Sequence, residues 1–361
     1  MVKRQYLITE RAHFTCPNMH FGMLMEIEKE YDKADVEATL NRMAEAHPFL
    51  KCLIAYENGL LKVYIYPQKL GMTLLFIAHH LLVDGRGLLE IAQEFANDYM
   101  GAIAPVYVEE ALLESIDDLP QKSSLSGISK MLVNLANRQW EKENHAVSYE
   151  QYKRFVEEYS KKHPVEYGTY EVNDTTVAQM TQLCKTNGFS MNDLLMAHMY
   201  VQTGTEKIII AADIRNIVSK YRKGALGNYS TAMGIHCKSK TTDVVEKAKE
   251  VHKLVQKHLK NNRKLMFVLA YYFQMTPTLL DAAAISALGG FESKAGKFVG
   301  GSMFGFRQPK SYSITNLGKV LNDNIKSIMF IPPASPATKL TLGVVTLNGT
   351  MKACSSRNEE D

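Results

Sequence analysis

Two adjacent histidines are followed at fixed spacing by an aspartate and a glycine: His79-His80-Leu81-Leu82-Val83-Asp84-Gly85. They come directly after Met72 to Ala78, a short, almost continuously apolar run that reads as a buried strand. A buried strand fixes the backbone, and the residues after it leave the sheet edge, where side chains can converge on a cleft. Histidine titrates near neutrality, so it can take and return a proton at physiological pH. An aspartate four residues on can fix the ring or turn the loop. Gly85 and Gly87 permit close backbone approach that other residues would hinder. His80 is therefore the candidate general base, with Asp84 and Gly85 in the same candidate site. His79 reads as a packing or hydrogen-bonding neighbour, and Asp84 as architecture more than chemistry.

Metal binding is the competing chemistry for a histidine pair. Adjacent residues on a strand point to opposite faces, so His79 and His80 are poorly placed to chelate one ion, and no metal is expected. Nor does any pair of the five cysteines (Cys16, Cys52, Cys184, Cys237, Cys354) have zinc-ligand or redox-motif spacing. They read as scattered reduced thiols. The Met1 to Glu10 stretch is charged and has no apolar signal core. No apolar run approaches the about 20 residues that a membrane span needs. Together these point to the cytoplasm. With 42 basic and 38 acidic residues the net charge is only +4, which gives nucleic-acid binding no support. Hydrophobic residues make up 46% of the chain, which excludes general disorder. Its 361 residues suffice for two or three units at about 150 residues each.

The elements that must position His80 follow from periodicity. Phe21 to Ile27 reads as a strand and Asp35 to Ala46 as a helix, with Val36, Leu40 and Met43 at helical spacing. Leu50 to Ala55 and Leu60 to Tyr66 read as strands joined by a hairpin turn at Glu57-Asn58-Gly59. Leu88 to Tyr99 reads as a helix, and Glu109 to Lys162 is polar and helix-tolerant. The chain restarts after His163-Pro164 with a strand (Tyr167 to Val172) and two helices (Asp174 to Lys185, Leu194 to Gln202). Strands at Lys207 to Ala212 and Ala232 to Cys237 precede a long helix, Thr242 to Leu259. Gly289 to Gly305 reads as irregular, and three late strands fall near Ser311 to Thr315, Ser327 to Ile331 and Thr341 to Leu347. Strand–helix–strand signals thus occur in each half, predicting two similar α/β halves, residues 1–163 and 164–361.

The His-His-x-x-x-Asp-Gly segment resembles the signature of the condensation-domain superfamily, which includes peptide-synthetase condensation domains, alcohol acetyltransferases and relatives of chloramphenicol acetyltransferase. Asp35 to Ile54 is similar to that family's first helix and following strand, and Phe189 to His198 to the segment opening the second half's long helix. Asp213-Ile214-Arg215 with Leu226-Gly227-Asn228 resembles its strand-end arginine and Gly-Asn turn, and Ser313 to Gly318 a late strand lining the cleft. The resemblance implies a pseudo-dimer of two chloramphenicol-acetyltransferase-like subdomains with a central tunnel, His80 lying midway along it. It further implies a thioester acyl donor, acyl-CoA or acyl carrier protein, and a small amine or alcohol acceptor that His80 deprotonates, with no other cofactor. Asp84 would pair with Arg215 across the halves, and the Gly85 amide could meet the oxyanion.

The chain departs from the family pattern in places. The Asp-Phe-Gly-Trp-Gly sequence of many relatives is absent, Phe304-Gly305-Phe306 being at most a remnant. The sequence also stops soon after the last predicted strand, at Asp361, where relatives often continue. No adenylation or carrier domain is attached, so the donor would arrive in trans. Two alternatives stand beside acyl transfer: amide-bond formation in nonribosomal peptide assembly, and a non-catalytic module that recruits carrier proteins. Met19, Met23, Met25 and Tyr271-Tyr272-Phe273 read as core packing, with tunnel lining as the alternative. The lysines of Thr242 to Lys260 read as a solvated face, with His252 and His258 as surface residues.

Overall fold

The computed structural model describes residues 13–54, 58–302, 304–306 and 310–359. Two sheets organise them. The first runs Ser327–Ile331, His20–Ile27, Gly71–His79, Leu61–Gln68, every neighbour antiparallel. The second has six strands in the order Val165–Val172, Thr350–Asn358, Thr338–Leu347, Ser311–Val320, Lys207–Asp213, Ser230–His236. Its two central pairings, Ser311–Val320 with Thr338–Leu347 and with Lys207–Asp213, are parallel. The chain is thus a mixed α/β fold in two halves.

The strand that delivers His80 is held on both sides. Phe76 is opposite Met23 in the register of Gly71–His79 with His20–Ile27, and Met23 is opposite Phe330 on the other edge. Phe21, Met23 and Met25 on one strand and Met72, Leu74 and Phe76 on the next are buried with the apolar stripes of the helices Lys33–Ala46 and Gly85–Tyr99. Phe95 meets Phe76 edge-on at 5.7 Å between ring centres. Removing each such side chain from water stabilises the sheet by about 1.5–3 kcal/mol. Met23 and Met25 are therefore core residues, whereas Met19 reaches the cavity described below.

Several sequence expectations are corrected. Pro48–Lys51 is a 3₁₀ turn, and only Leu53–Ile54 pairs with Asn58–Gly59, so Asn58 and Gly59 are strand and not turn residues. The remainder of that expected hairpin, Ala55 to Glu57, lies outside the described residues, as does Met1 to Glu10. Within the stretch expected to be irregular, Lys294–Ser302 is a helix. Glycine is a poor helix former, but Gly296 and Gly300 let this helix lie against Pro277–Ala287. A Cβ at Gly300 would sit 2.4 Å from that of Ala287, and one at Gly296 2.8 Å from that of Ser286. Also unanticipated are that partner helix, the short helices Asn262–Leu265 and Phe267–Tyr272 before it, and a last strand, Thr350–Asn358. The strand enters through a tight turn at Asn348 and Gly349, both at positive φ.

Sheet membership crosses the midpoint of the chain. Ser327–Ile331 comes from the second half yet forms an edge of the first sheet. Leu226, Leu317, Phe330 and Val345 lie in the core of the first half. The two halves share packed surface, and the residues after His79 fall on that seam.

Candidate active site

After His79 the chain turns at once: the Leu82 amide donates to the His79 carbonyl at 2.9 Å. The His79 ring takes part in this turn. It is 4% exposed, and its Nδ1 accepts from the Leu81 amide at 3.1 Å, which leaves the proton on Nε2. It meets His20 edge-on at 4.8 Å. Burial, with the charges of His20 and His80 adding to it, pushes its pKa well below the ordinary value. His79 is thus a neutral part of the turn.

His80 contacts other partners. Its ring stacks on His13 at 4.1 Å and lies 5.1 Å from Phe21. Nδ1 is 2.9 Å from Oδ1 of Asn228, while Nδ2 of the same amide donates to the His80 carbonyl oxygen, also at 2.9 Å. A carbonyl can only accept, so it fixes which end of the Asn228 amide faces it. Oδ1 must then face the ring, and Nδ1 must carry the proton it receives. The lone pair of His80 accordingly sits on Nε2, the nitrogen available to a substrate. Burial lowers its pKa from 6.5, opposed by the negative charge of Asp84 and the bond to Asn228. The ring is a neutral base at pH 7.

Asp84 does not bond that ring. Its carboxylate accepts four hydrogen bonds: from Arg215 Nη2 at 2.8 Å and Nη1 at 2.9 Å, from the Gly87 amide at 2.8 Å, and from the Tyr229 amide at 2.9 Å. The bond to Gly87 makes Asp84 the N-cap of the helix Gly85–Tyr99. Burial alone would raise its pKa, but the charge and bonds of Arg215 and the two amides outweigh this and hold it below the ordinary value. The guanidinium of Arg215 is raised by the same pairing against its own burial. The Asp84 amide donates to the carbonyl of Gly227 at 3.3 Å. Gly227 has φ +151°, and a Cβ there would lie 3.0 Å from the Tyr229 ring, so this turn calls for glycine. One turn, residues 227–229, thus holds both the catalytic candidate and its neighbouring aspartate.

A cavity of about 240 Å³ lies between the halves. His13, Cys16, Met19 and His80 border it from the first half, and Asn228, Thr231, Tyr272, Ser313 and Thr315 are among those facing it from the second. Phe304 and Phe306 line it as well. Gly85 is not among the lining residues. It packs closely instead: a Cβ there would lie 3.1 Å from Phe330 and 3.2 Å from Leu317. The Cys16 thiol is pushed up to about 12, mainly by burial, so it is no nucleophile at neutral pH. No group of histidine, cysteine or acidic side chains that could hold a metal ion occurs among the described residues. Cys16, Cys184, Cys237 and Cys354 are buried free thiols, and none of the helices described is long and apolar enough to cross a membrane.

The sequence singled out His79, His80, Asp84, Gly85 and Arg215, but gave no role to two close neighbours of His80. Asn228 stood within the Gly-Asn turn without a function, because its partner lies 148 residues away. His13 carried no motif. On a surface helix, His252 bonds the buried capping residue Asp193 at 2.9 Å and is not simply solvated.

No family model matches the chain, and no curated protein matches it. Solved structures do. The chain is similar to the epimerization domain from the third module of tyrocidine synthetase B, at 14% identity over 97% of this chain and 87% of that one, with a TM-score of 0.55. It is similar to trichothecene 15-O-acetyltransferase from Fusarium sporotrichioides, at 11% identity over 98% and 88%, TM-score 0.58. A third likeness is to the first condensation domain of the calcium-dependent antibiotic synthetase, at 9% identity over 99% and 91%, TM-score 0.59. Likeness at such identities concerns the fold.

Proposed function

We propose that this chain, which has the fold shared by condensation domains and chloramphenicol-acetyltransferase-like acyltransferases, moves an acyl group from a thioester to a hydroxyl or amine. The observation that carries this reading is the tautomer of His80: a neutral imidazole with its proton held by Asn228 and its Nε2 lone pair free, bordering a cavity between the halves. In the proposed step the acceptor oxygen or nitrogen attacks the thioester carbonyl while Nε2 takes the acceptor's proton. The new C–O or C–N bond forms and the carbonyl oxygen becomes an oxyanion. When the intermediate collapses, the C–S bond breaks and the imidazolium returns its proton to the leaving thiolate. No covalent acyl-enzyme is needed, and much of the rate comes from holding the two reactants together.

Asp84 and Arg215 serve this step through geometry, by fixing the turn that carries Asn228 and the start of the helix after His80. Gly85 serves by letting that helix approach Phe330 and Leu317. The donor would be acyl-CoA or an acyl carrier protein.

The test is a mass-spectrometric transfer assay with mixed acyl thioesters, coenzyme A-linked and carrier-linked, and pooled alcohols and amines. A product whose mass is the acceptor plus the acyl group, made by the parent chain and not by His80→Ala, is the expected result. A donor returned isomerised at unchanged mass, or carrier binding without product, would overturn it.

The pH profile follows from the direction of the His80 shift. The reactive form is neutral, so the rate rises with pH through a single step. Burial places that step below the 6.5 of a free imidazole, and the rate is level from about pH 7 upward. Stability runs the same way. His13, His79 and His80 are all lowered by burial, so the unfolded chain binds more protons than the folded one. Their contribution is complete above about pH 6.5 and is lost as pH falls. Initial rates and urea midpoints between pH 5 and 8 check both; a rate step above 7 would contradict the assignment.

A further inference from the structure

We infer that the group accepted beside His80 is a small, uncharged, polyhydroxylated alcohol, of the size of a short polyol or a single sugar ring. The inference rests on the acyl-transfer reading and specifies its acceptor. Three features of the cavity carry it.

The first is charge. Among the described lining residues there is no aspartate, glutamate, lysine or arginine. The two imidazoles present, His13 and His80, are both kept neutral by burial. A carboxylate or ammonium enclosed there would leave water without a counter-charge, and an isolated ion does not survive that exchange. A zwitterionic amino acid would find no counter-charge among these residues.

The second is the hydroxyl wall. Ser313 and Thr315 stand two residues apart and so share a face of the strand Ser311–Val320. Thr341 lies opposite Ser313 in register on the neighbouring strand and borders the same space. Thr231 also borders it, is 4% exposed, and has a buried hydroxyl with no hydrogen-bond partner. Buried hydroxyls are ordinarily satisfied, so one left over beside a cavity marks unused capacity. Such hydroxyls both donate and accept, matching a ligand edge of the same kind.

The third is the facing surface and the size. Leu269 and the stacked rings of Tyr272 and Phe304 present carbon to the cavity. A sugar-like alcohol has a C–H face for these rings and a hydroxyl edge for the opposite wall. At about 240 Å³ the space is at the small end for a ligand pocket and suits a small acceptor.

The experiment uses xylitol and methyl β-D-xyloside as neutral probes, with L-alanine and 1-octanol as the charged and apolar comparisons. Binding to the parent chain is measured by calorimetry, and acetyl transfer to each from acetyl thioesters in parallel. The neutral polyols should bind saturably, with L-alanine showing no heat. Thr315→Val should weaken polyol binding about fivefold or more, the loss of one neutral hydrogen bond. Thr315→Ser, which keeps the hydroxyl, should restore it and so separates binding from misfolding. Polyol binding without transfer leaves the pocket chemistry standing and sinks the acyl-transfer reading. Transfer that prefers 1-octanol or L-alanine, or no polyol binding at all, overturns the inference, and in the first case leaves the acyltransferase intact.

Discussion

Replacing His80 by alanine lowers kcat by about 10²- to 10⁴-fold, the range expected for loss of a positioned general base, with little change in melting temperature. The side chain faces a cavity and makes one side-chain hydrogen bond, to Asn228, so its removal leaves no buried charge unpaired. KM should change little, because the proton is in flight only in the transition state. A variant that retained full kcat would exclude His80 as the base, whatever became of the fold. Asn228 supplies a sharper control. Asn228→Ala keeps the imidazole but frees its tautomer, so kcat falls while His80 remains. Asn228→Asp puts a carboxylate 2.9 Å from Nδ1. That favours the imidazolium, and the step in the pH profile moves upward. A merely structural role for residue 228 would lower stability and leave the step in place.

Breaking the Asp84–Arg215 pair has the largest expected effect on folding. Asp84 is 2% exposed and Arg215 5%, and their side chains meet through two bonds of 2.8 and 2.9 Å. Deleting one partner of a buried pair strands the other's charge, at a cost of about 3–5 kcal/mol. Asp84→Ala should be the more damaging, since it also removes an N-cap contributing about 0.5–2 kcal/mol and the acceptor of the Tyr229 amide. Arg215→Met retains the stem and leaves Asp84 with its two amide bonds. Combining Asp84→Ala with Arg215→Met should cost clearly less than the two losses added, because neither charge is then alone. Urea unfolding of the four proteins gives the coupling directly. Additive losses would mean that the pair does not tie the halves together, and the account of the 227–229 turn would fail with it.

How far the site was legible in the chain depends on how local its parts are. His79 to Gly85 is one continuous turn, so its spacing could be read directly. Arg215 was reached through resemblance, since nothing local marks a strand-end arginine as the partner of an aspartate 131 residues away. Asn228 and His13 became visible only when the ring contacts were in view. The fold divides in the same way. Strands and helices with a clear period, such as Gly71–His79 and Gly85–Tyr99, lie where the apolar pattern puts them. Thr350–Asn358 escaped because only Met351 and Cys354 among its buried side chains are apolar, while Ser355, Ser356 and Asn358 are polar and break the alternation. Ser356 and Asn358 are satisfied by the carbonyls of Pro333 and Ala334, partners that no periodicity reveals. Yet its Asn348-Gly349 turn is a hairpin signal that was present in the sequence.

By itself, then, the sequence determined the α/β character, the strand that ends in His79 and the capped turn after it, because these rest on side-chain period and on contacts within a few residues. Tertiary structure alone decided that Ser327–Ile331 would complete the first sheet, and that a glycine-rich stretch would coil against Pro277–Ala287. It also decided which nitrogen of His80 keeps its proton. Strand pairing, helix contact and tautomer each depend on a partner far along the chain, brought near only when the two halves close on a shared core.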